Sequence, residues 1–126
     1  MKQATVEWIE RAEGDWKVAQ REQRAADPVW NVICFLAQQC AEKYLKAFLE
    51  EATMPFGKTH DLVMLLDLTA GQIPGLEALR SGLAYLSPFA ITARYPGVHI
   101  NQQTAENTAQ IAAQVRAVVR AKLGLP

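Results

Sequence analysis

Serine and histidine are scarce in this chain of 126 residues, and their scarcity narrows the chemistry that the chain can perform. The two serines, Ser81 and Ser87, suggest no serine–histidine–acid set of the kind that hydrolases use. The two histidines, His60 and His99, could be combined with Asp61 into a metal site on paper, but they are weak grounds for one. The sequence therefore predicts no metal and no cofactor.

Cysteines and long apolar runs are also scarce. Cys34 and Cys40 lie six positions apart in one apparently helical segment, so they point to different faces and are too far apart for a disulfide. We predict that both are buried free thiols, which suits a reducing cytoplasm. The N-terminal residues contain no apolar signal region, and no apolar run approaches transmembrane length. We therefore expect a cytoplasmic protein with no membrane partner.

The net charge is zero, so no overall field would steer the chain onto nucleic acid. The charges are unevenly distributed, however. From position 80 onward Glu106 and the C-terminal carboxylate are the only acidic groups. The basic residues of this last third are Arg80, Arg94, Arg116, Arg120 and Lys122. The C-terminal third is therefore locally basic.

A glycine-rich phosphate loop is missing as well. The stretch Gly57-Lys58-Thr59 looks like the end of such a loop, but Ala52 stands where the first glycine is required, and no strand precedes it. No segment shows the sustained alternation of apolar and polar residues that is typical of strands.

Helical periodicity, by contrast, extends over most of the chain and predicts five helices. They run from Val6 to about Arg24, from Asp27-Pro28 to about Ala52, from Asp61 to about Thr69, from Pro74-Gly75 to Ser87-Pro88, and from Thr104 to about Leu123. A short apolar piece, Phe89 to Ala93, follows the fourth. The expected N-caps are Thr5, Asp27, Thr59 or His60, and Thr104. With short connections, these elements predict one domain, residues 1–126, folded as an all-α, five-helix up-and-down bundle.

The second helix is apolar over much of its circumference, so we expect it at the centre of the bundle. It retains a polar stripe that consists of Gln39, Glu42, Lys43, Lys46 and Glu50. This stripe is either a solvated face or a surface for a partner or ligand, and the sequence leaves both interpretations open.

One compact pair of chemically active side chains remains, namely Arg94 and His99. Arginine stays charged at physiological pH and binds phosphate oxygens with a planar fork. Histidine side chains can accept or donate a proton near neutral pH. The pair therefore fits metal-free work on a phosphodiester. The plainer alternative is that Arg94 caps a helix end and that His99 is an ordinary loop residue.

Four segments in this order resemble the motifs of the HEPN family, a group of small all-α domains associated with nucleotides and RNA. They are Ala12–Ala19, like its "A..DL..A" opening; Phe35–Ala47, similar to "hhAQQAAEKALKA"; Lys58–Leu62, like "KTHDL"; and Ala93–Pro96, like "T/A-R-Y-P". The resemblance covers roughly residues 5 to 120, and in combination the motifs are specific. It implies a HEPN-like fold.

The resemblance implies two functions, and we add a third, plainer possibility. The first is a module that binds a nucleotide, or that partners a small nucleotidyltransferase antitoxin in a toxin–antitoxin-type system. The second is a metal-independent endoribonuclease toxin, acting on RNA with an Arg-x4-His pair, here Arg94 and His99, at a homodimer interface. The third is a purely structural homodimeric module. For the binding module, the expected nucleotide or phosphate contacts are Lys43, Lys46, Lys58, His60, Arg94 and Tyr95.

Overall fold

The computed structural model describes residues 1–126 and contains helices but no strands. The α-helices are α1 (Gln3–Gln23), α2 (Trp30–Glu51), α3 (Leu62–Leu68), α4 (Arg80–Leu86), α5 (Phe89–Thr92) and α6 (Gln102–Lys122). A short 3₁₀ turn, Glu77–Leu79, precedes α4. Helices α4 and α5, which Ser87-Pro88 separates, replace the predicted fourth helix and the apolar piece after it. The prediction of an all-α, five-helix bundle is confirmed, with its fourth helix broken at the proline.

Helix α2 is the centre of the bundle, as its apolar circumference predicted. It packs along α1 and α6 and also contacts α3, α4 and α5. More than half of its residues are buried. No helix of the chain combines the length and the apolar character that crossing a membrane requires. Because α2 touches every other helix, its side chains are the ones that join the separate sequence motifs.

Two helix starts are capped by side chains, and neither cap is the predicted one. Asp61 caps α3, where Oδ1 accepts hydrogen bonds from the backbone N–H groups of Val63 and Met64 at 3.0 and 3.2 Å. Asn101 caps α6 by accepting from the N–H of Thr104 at 3.0 Å. The predicted caps at Thr59 or His60 and at Thr104 are therefore wrong, because a suitable side chain stands a few positions away in each case.

The caps predicted for the first two helices are also wrong. Thr5 lies buried inside α1, where its hydroxyl donates to Glu51 Oε1 at 2.9 Å, so a tertiary contact takes the side chain that the sequence offered as a cap. Helix α2 begins only at Trp30, and the carboxylate of Glu22, rather than Asp27, accepts from the N–H of Val29 at 3.0 Å.

An ion-pair cluster joins α1, α2 and α6. Arg116 donates to both carboxylate oxygens of Glu13, at 2.7 and 2.8 Å, and lies over the ring of Trp16. The hydroxyl of Tyr44 also donates to Glu13, and Arg120 donates to that hydroxyl at 3.0 Å. The hydrogen bonds from Arg116 lower the pKa of Glu13 against the effect of burial, which raises it. The cluster fixes the two long outer helices against α2.

Candidate functional site

The segment that carries Arg94 and His99 is held in place by the start of α2. Helix α5 ends at Thr92, and Pro96 followed by Gly97, whose φ is 107°, turns the chain away from helical geometry. The side-chain amide of Asn31 donates to the carbonyl oxygen of Ala93 at 3.2 Å. The loop therefore leaves α5 at a fixed point on α2 and runs from there to the cap of α6.

Arg94 is exposed, and its guanidinium group rests on aromatic rings rather than on carboxylates. Its Cζ lies 5.5 Å from the ring centroid of Phe35 and 5.9 Å from that of Tyr95. The side chain forms no hydrogen bond or ion pair within the chain, and it does not cap α5. The other arginines of the basic C-terminal third, by contrast, are all bonded: Arg80, Arg116 and Arg120. Cation–π contact holds the group while its N–H donors stay free for an anion.

A cavity of about 430 Å³ lies beside this guanidinium. Its lining residues are Asn31, Ala93, Arg94, Tyr95, Pro96, Val98, His99 and Ile100. The structure thus brings Arg94, Tyr95 and His99 to one cavity. His99 is exposed there, with no hydrogen-bond partner within the chain.

The lysines of α2 do not line this cavity. Lys43 forms an ion pair with Asp15 at 2.6 Å. Lys46 is almost completely buried, with its ammonium group 3.0 Å from Glu42 Oε2 and 5.5 Å from the ring centroid of Trp8. The interpretation of the polar stripe as a solvated face is therefore wrong for Glu42 and Lys46, because these two side chains form a buried ion pair.

The motif Lys58–Leu62, which follows α2 in the chain, packs against the middle of that helix through His60. Lys58 is exposed and makes no ion pair, and His60 Nδ1 lies 2.9 Å from Glu42 Oε1. The side chain of Gln38 donates to the carbonyl oxygen of His60 at 3.2 Å. The first free N–H groups of α3 are already bonded to Asp61, so an anion at this helix start would meet a carboxylate.

The two histidines line different cavities, since His60 belongs to a second one of about 480 Å³. His60 and Asp61 therefore do not form a metal site together with His99. No group of three or more histidine, cysteine, aspartate or glutamate side chains in the structure could hold a metal ion.

The sequence prediction missed three residues of α2 that organise these sites: Asn31, Phe35 and Gln38. Together with Glu42 and Lys46 they form one stripe, because positions three or four apart share a helix face. Asn31 and Phe35 contact the Arg94 loop, and Gln38 contacts His60. The available signal was this regular spacing across the "AQQ" motif, which continues the polar stripe toward the start of the helix.

Comparison with known proteins identifies the family and supports the fold. The family model described as the HEPN domain matches residues 5–122. No curated protein matches the chain. Among solved structures, ST0689, an archaeal HEPN homologue, is similar with a TM-score of 0.76 and 23% identity, over 98% of this chain and 99% of that one. TT1696 from Thermus thermophilus is similar with a TM-score of 0.74 and 26% identity, over 96% and 99% of the two chains. The chain belongs to the HEPN family.

Proposed function

We propose that this HEPN domain is a binding module for a nucleotide, whose phosphate is held by Arg94. The proposal rests on the exposure and the missing ion-pair partner of that side chain. Its guanidinium group is exposed, rests on Phe35 and Tyr95, and has no acidic partner in the chain. An arginine that is positioned and unpaired offers a planar set of donors for two phosphate oxygens.

The neighbouring side chains support the same chemistry. His99 lines the cavity beside Arg94 and can donate a hydrogen bond from a ring N–H to a phosphate oxygen. Tyr95 makes a second cation–π contact with the guanidinium group, which helps to hold it in position. Lys58 is exposed and unpaired but does not line the cavity, and Lys43 and Lys46 stabilise the fold because their ammonium groups are already paired.

The test is calorimetric titration of the protein with ATP and with inorganic tripolyphosphate. The variant Arg94→Ala should lose affinity by about tenfold or more, since a charge-assisted hydrogen-bond pair is removed. The matched control is Arg11→Ala, which removes an exposed and unpaired arginine from α1. If both variants bind as the unaltered protein does, or if the unaltered protein binds neither ligand, the proposal is wrong.

We also propose that the face around this cavity meets another protein chain, either a second copy or a small nucleotidyltransferase of a toxin–antitoxin-type system. Nine large hydrophobic side chains of the domain are exposed, and five of them fall in two segments, 29–32 and 91–98. They are Val29, Val32, Ile91, Tyr95 and Val98. The hydrogen bond between Asn31 and Ala93 joins these segments. Apolar side chains concentrated around a polar cavity are typical of an interaction surface.

The partner proposal is tested by the oligomeric state and by co-purification. Sedimentation would show whether the domain is a dimer, and Ile91→Asp should dissociate it, whereas Val18→Asp on the exposed part of α1 should not. A nucleotidyltransferase encoded in a neighbouring reading frame should co-purify with the unaltered chain and not with Ile91→Asp. A purely structural homodimer would dissociate in the same way but would bind neither nucleotide nor nucleotidyltransferase.

The second candidate function is a metal-independent endoribonuclease, and the shared cavity of Arg94 and His99 favours it. His99 would take the proton of a ribose 2′-hydroxyl or protonate the leaving 5′-oxygen, and Arg94 would stabilise the charge that develops on the phosphoryl group. A dimer would supply two histidines and so both roles. Mixed RNA incubated with the protein in chelator should be cleaved, and His99→Ala should abolish cleavage. Equal cleavage by both proteins, or none by either, excludes this function.

A further inference from the structure

A buried carboxylate holds His60 in a fixed orientation that the Arg94 cavity does not use. Glu42 is buried and accepts three hydrogen bonds: from Lys46 at 3.0 Å, from Gln38 at 3.2 Å and from His60 Nδ1 at 2.9 Å. The imidazole itself is 68% exposed. Because a carboxylate only accepts, Nδ1 must carry the proton, and a neutral imidazole then presents Nε2 as a free acceptor.

His60 lines a cavity of about 480 Å³ between α3 and the α4–α5 segment. The lining residues are His60, Asp61, Val63, Ala84, Ser87, Pro88, Ala90 and Ile91. Its walls are largely aliphatic, and His60 and Asp61 offer acceptors, while the hydroxyl of Ser87 can also donate. One oxygen of Asp61 is occupied by the N–H groups of α3, which leaves the other free. Ser87 already accepts from the N–H of Leu62 at 3.0 Å. Such a cavity suits a flat apolar ring that carries N–H donors.

This cavity and the Arg94 cavity follow each other along the chain, the first at α5 and the second at the loop after it. Ile91 lines one and Arg94 the other, and these residues are about one helical turn apart. The same order appears on α2, where Phe35 lies under Arg94 and Gln38 bonds to His60, a rise of roughly 4.5 Å between the two positions. The two cavities therefore lie at neighbouring positions along both segments, which is the arrangement that one nucleotide spanning them requires.

We propose that the cavity at His60 binds the purine base of the nucleotide whose phosphate Arg94 holds, and that it selects bases with an exocyclic amino group. This inference rests on the proposed nucleotide-binding function. The amino group donates to Nε2 of His60 and to the free oxygen of Asp61, and the ring packs on Val63 and Pro88. Glu42 is a positioning residue, because it fixes which nitrogen of His60 faces the ligand.

The experiment is calorimetric titration at about pH 8, where an ordinary imidazole is neutral. Three probes are compared: ATP, purine riboside 5′-triphosphate, which differs from ATP in lacking the amino group, and inorganic tripolyphosphate. The unaltered protein should prefer ATP. The variant His60→Ala should bind ATP about fivefold more weakly, the size of one lost hydrogen bond, with no change for tripolyphosphate. The control is Met64→Ala, an exposed residue of α3 outside the cavity.

The role of Glu42 has a separate readout. In the nitrogen NMR spectrum of the unaltered protein, neutral His60 should carry its proton on Nδ1. In Glu42→Gln, whose amide can donate as well as accept, the proton should move partly to Nε2, and the preference for ATP should fall while tripolyphosphate binding stays. Circular dichroism identifies a variant that fails to fold. A proton on Nε2 in the unaltered protein overturns the assignment.

The remaining outcomes separate this inference from the function on which it rests. If the unaltered protein binds none of the three probes, the nucleotide-binding function fails and the inference falls with it. If it binds them with equal affinity and only Arg94→Ala abolishes binding, the function stands and the inference is overturned. If His60→Ala changes the oligomeric state and leaves the ratio of affinities unaltered, the cavity is an interface between copies, and the inference is again overturned.

Discussion

Lys46 and Glu42 form an ion pair inside the domain, with Nζ and Oε2 separated by 3.0 Å and both side chains about 5% exposed or less. The ammonium group also lies 5.5 Å from the ring centroid of Trp8 and 5.9 Å from that of Phe56. Lys46 therefore connects α2 to α1 and to the loop before α3. Because Glu42 in turn holds His60, the pair supports the functional surface from within the fold.

We expect Lys46→Met to reduce the free energy of unfolding by about 3 kcal/mol, since it leaves a buried carboxylate without its cation. Methionine fills a similar volume and keeps contact with both rings, so the loss reports the charge rather than a cavity. The double variant Glu42→Gln, Lys46→Met should regain about 1 kcal/mol or more. Urea denaturation measures both, and Lys17→Met on the exposed face of α1 is the control. A double variant less stable than Lys46→Met would contradict this account.

The burial of Lys46 also marks the limit of what the sequence could predict. Helix number, type and the central place of α2 follow from apolar periodicity, which is a local property of the chain. The polar stripe on α2 has the same pattern whether it meets water or aromatic rings. The rings that cover it, Trp8 and Phe56, lie on other elements, so only tertiary packing decides between the two outcomes.

The candidate site likewise contains residues that the sequence identified and residues that only tertiary packing reveals. Arg94 and His99 are five positions apart, and the sequence was enough to single them out as one compact pair, which the structure places at one cavity. Asn31 and Phe35, which position that surface, come from about 60 residues earlier in the chain. The N-cap at Thr5 failed for a related reason, because a distant carboxylate, Glu51, binds the side chain that would have capped the helix.

The Glu13–Arg116 pair should make stability depend on acid pH. The hydrogen bonds from Arg116 lower the pKa of Glu13 below its ordinary value of 4.5. A carboxyl group with a lowered pKa in the folded state contributes stability above its unfolded pKa, and that contribution is lost as the pH falls through the folded value. We expect Glu13→Gln to be less stable than the unaltered protein by about 1 kcal/mol at neutral pH.

The difference should shrink as the pH is lowered from about 5 toward 3, because the unaltered protein then loses the same charge. Urea midpoints measured across this range test the expectation. Glu10→Gln, on the exposed face of the same helix, is the matched control. If Glu13→Gln and the unaltered protein differ in stability by the same amount at neutral and at acid pH, the pair does not act through the ionisation of Glu13.

Both cysteines should be inert in the folded protein. Cys34 and Cys40 are free and fully buried, as the sequence predicted, and burial raises the pKa of both thiols. Because the thiolate is the reactive form, a disulfide reagent at about pH 8 should modify neither in native protein and both in urea. Ser81→Cys, at an exposed position of α4, should react at once and proves that the reagent is active. Rapid modification of the unaltered native protein would show that α2 opens.

Gly14 offers a simple stabilising substitution. It lies in the middle of α1 in helical conformation, it is exposed, and a Cβ added there would meet nothing within 4 Å. Gly14→Ala should therefore raise the free energy of unfolding by about 1 kcal/mol, through helix propensity alone. Thermal denaturation measures the shift, and an unchanged or lower midpoint would be inconsistent with an unhindered position.

Gly82 in α4 is the contrasting case, because the added Cβ would lie 3.3 Å from Cγ1 of Ile111 on α6. The glycine permits the close approach of these two helices, and overpacking there should offset the gain in helix propensity. Gly82→Ala should therefore stabilise less than Gly14→Ala, or destabilise. In an Ile111→Ala background the obstructing atoms are gone, so Gly82→Ala should become stabilising by about 1 kcal/mol. The same effect of Gly82→Ala in both backgrounds would show that the contact with Ile111 does not govern the packing of α4 on α6.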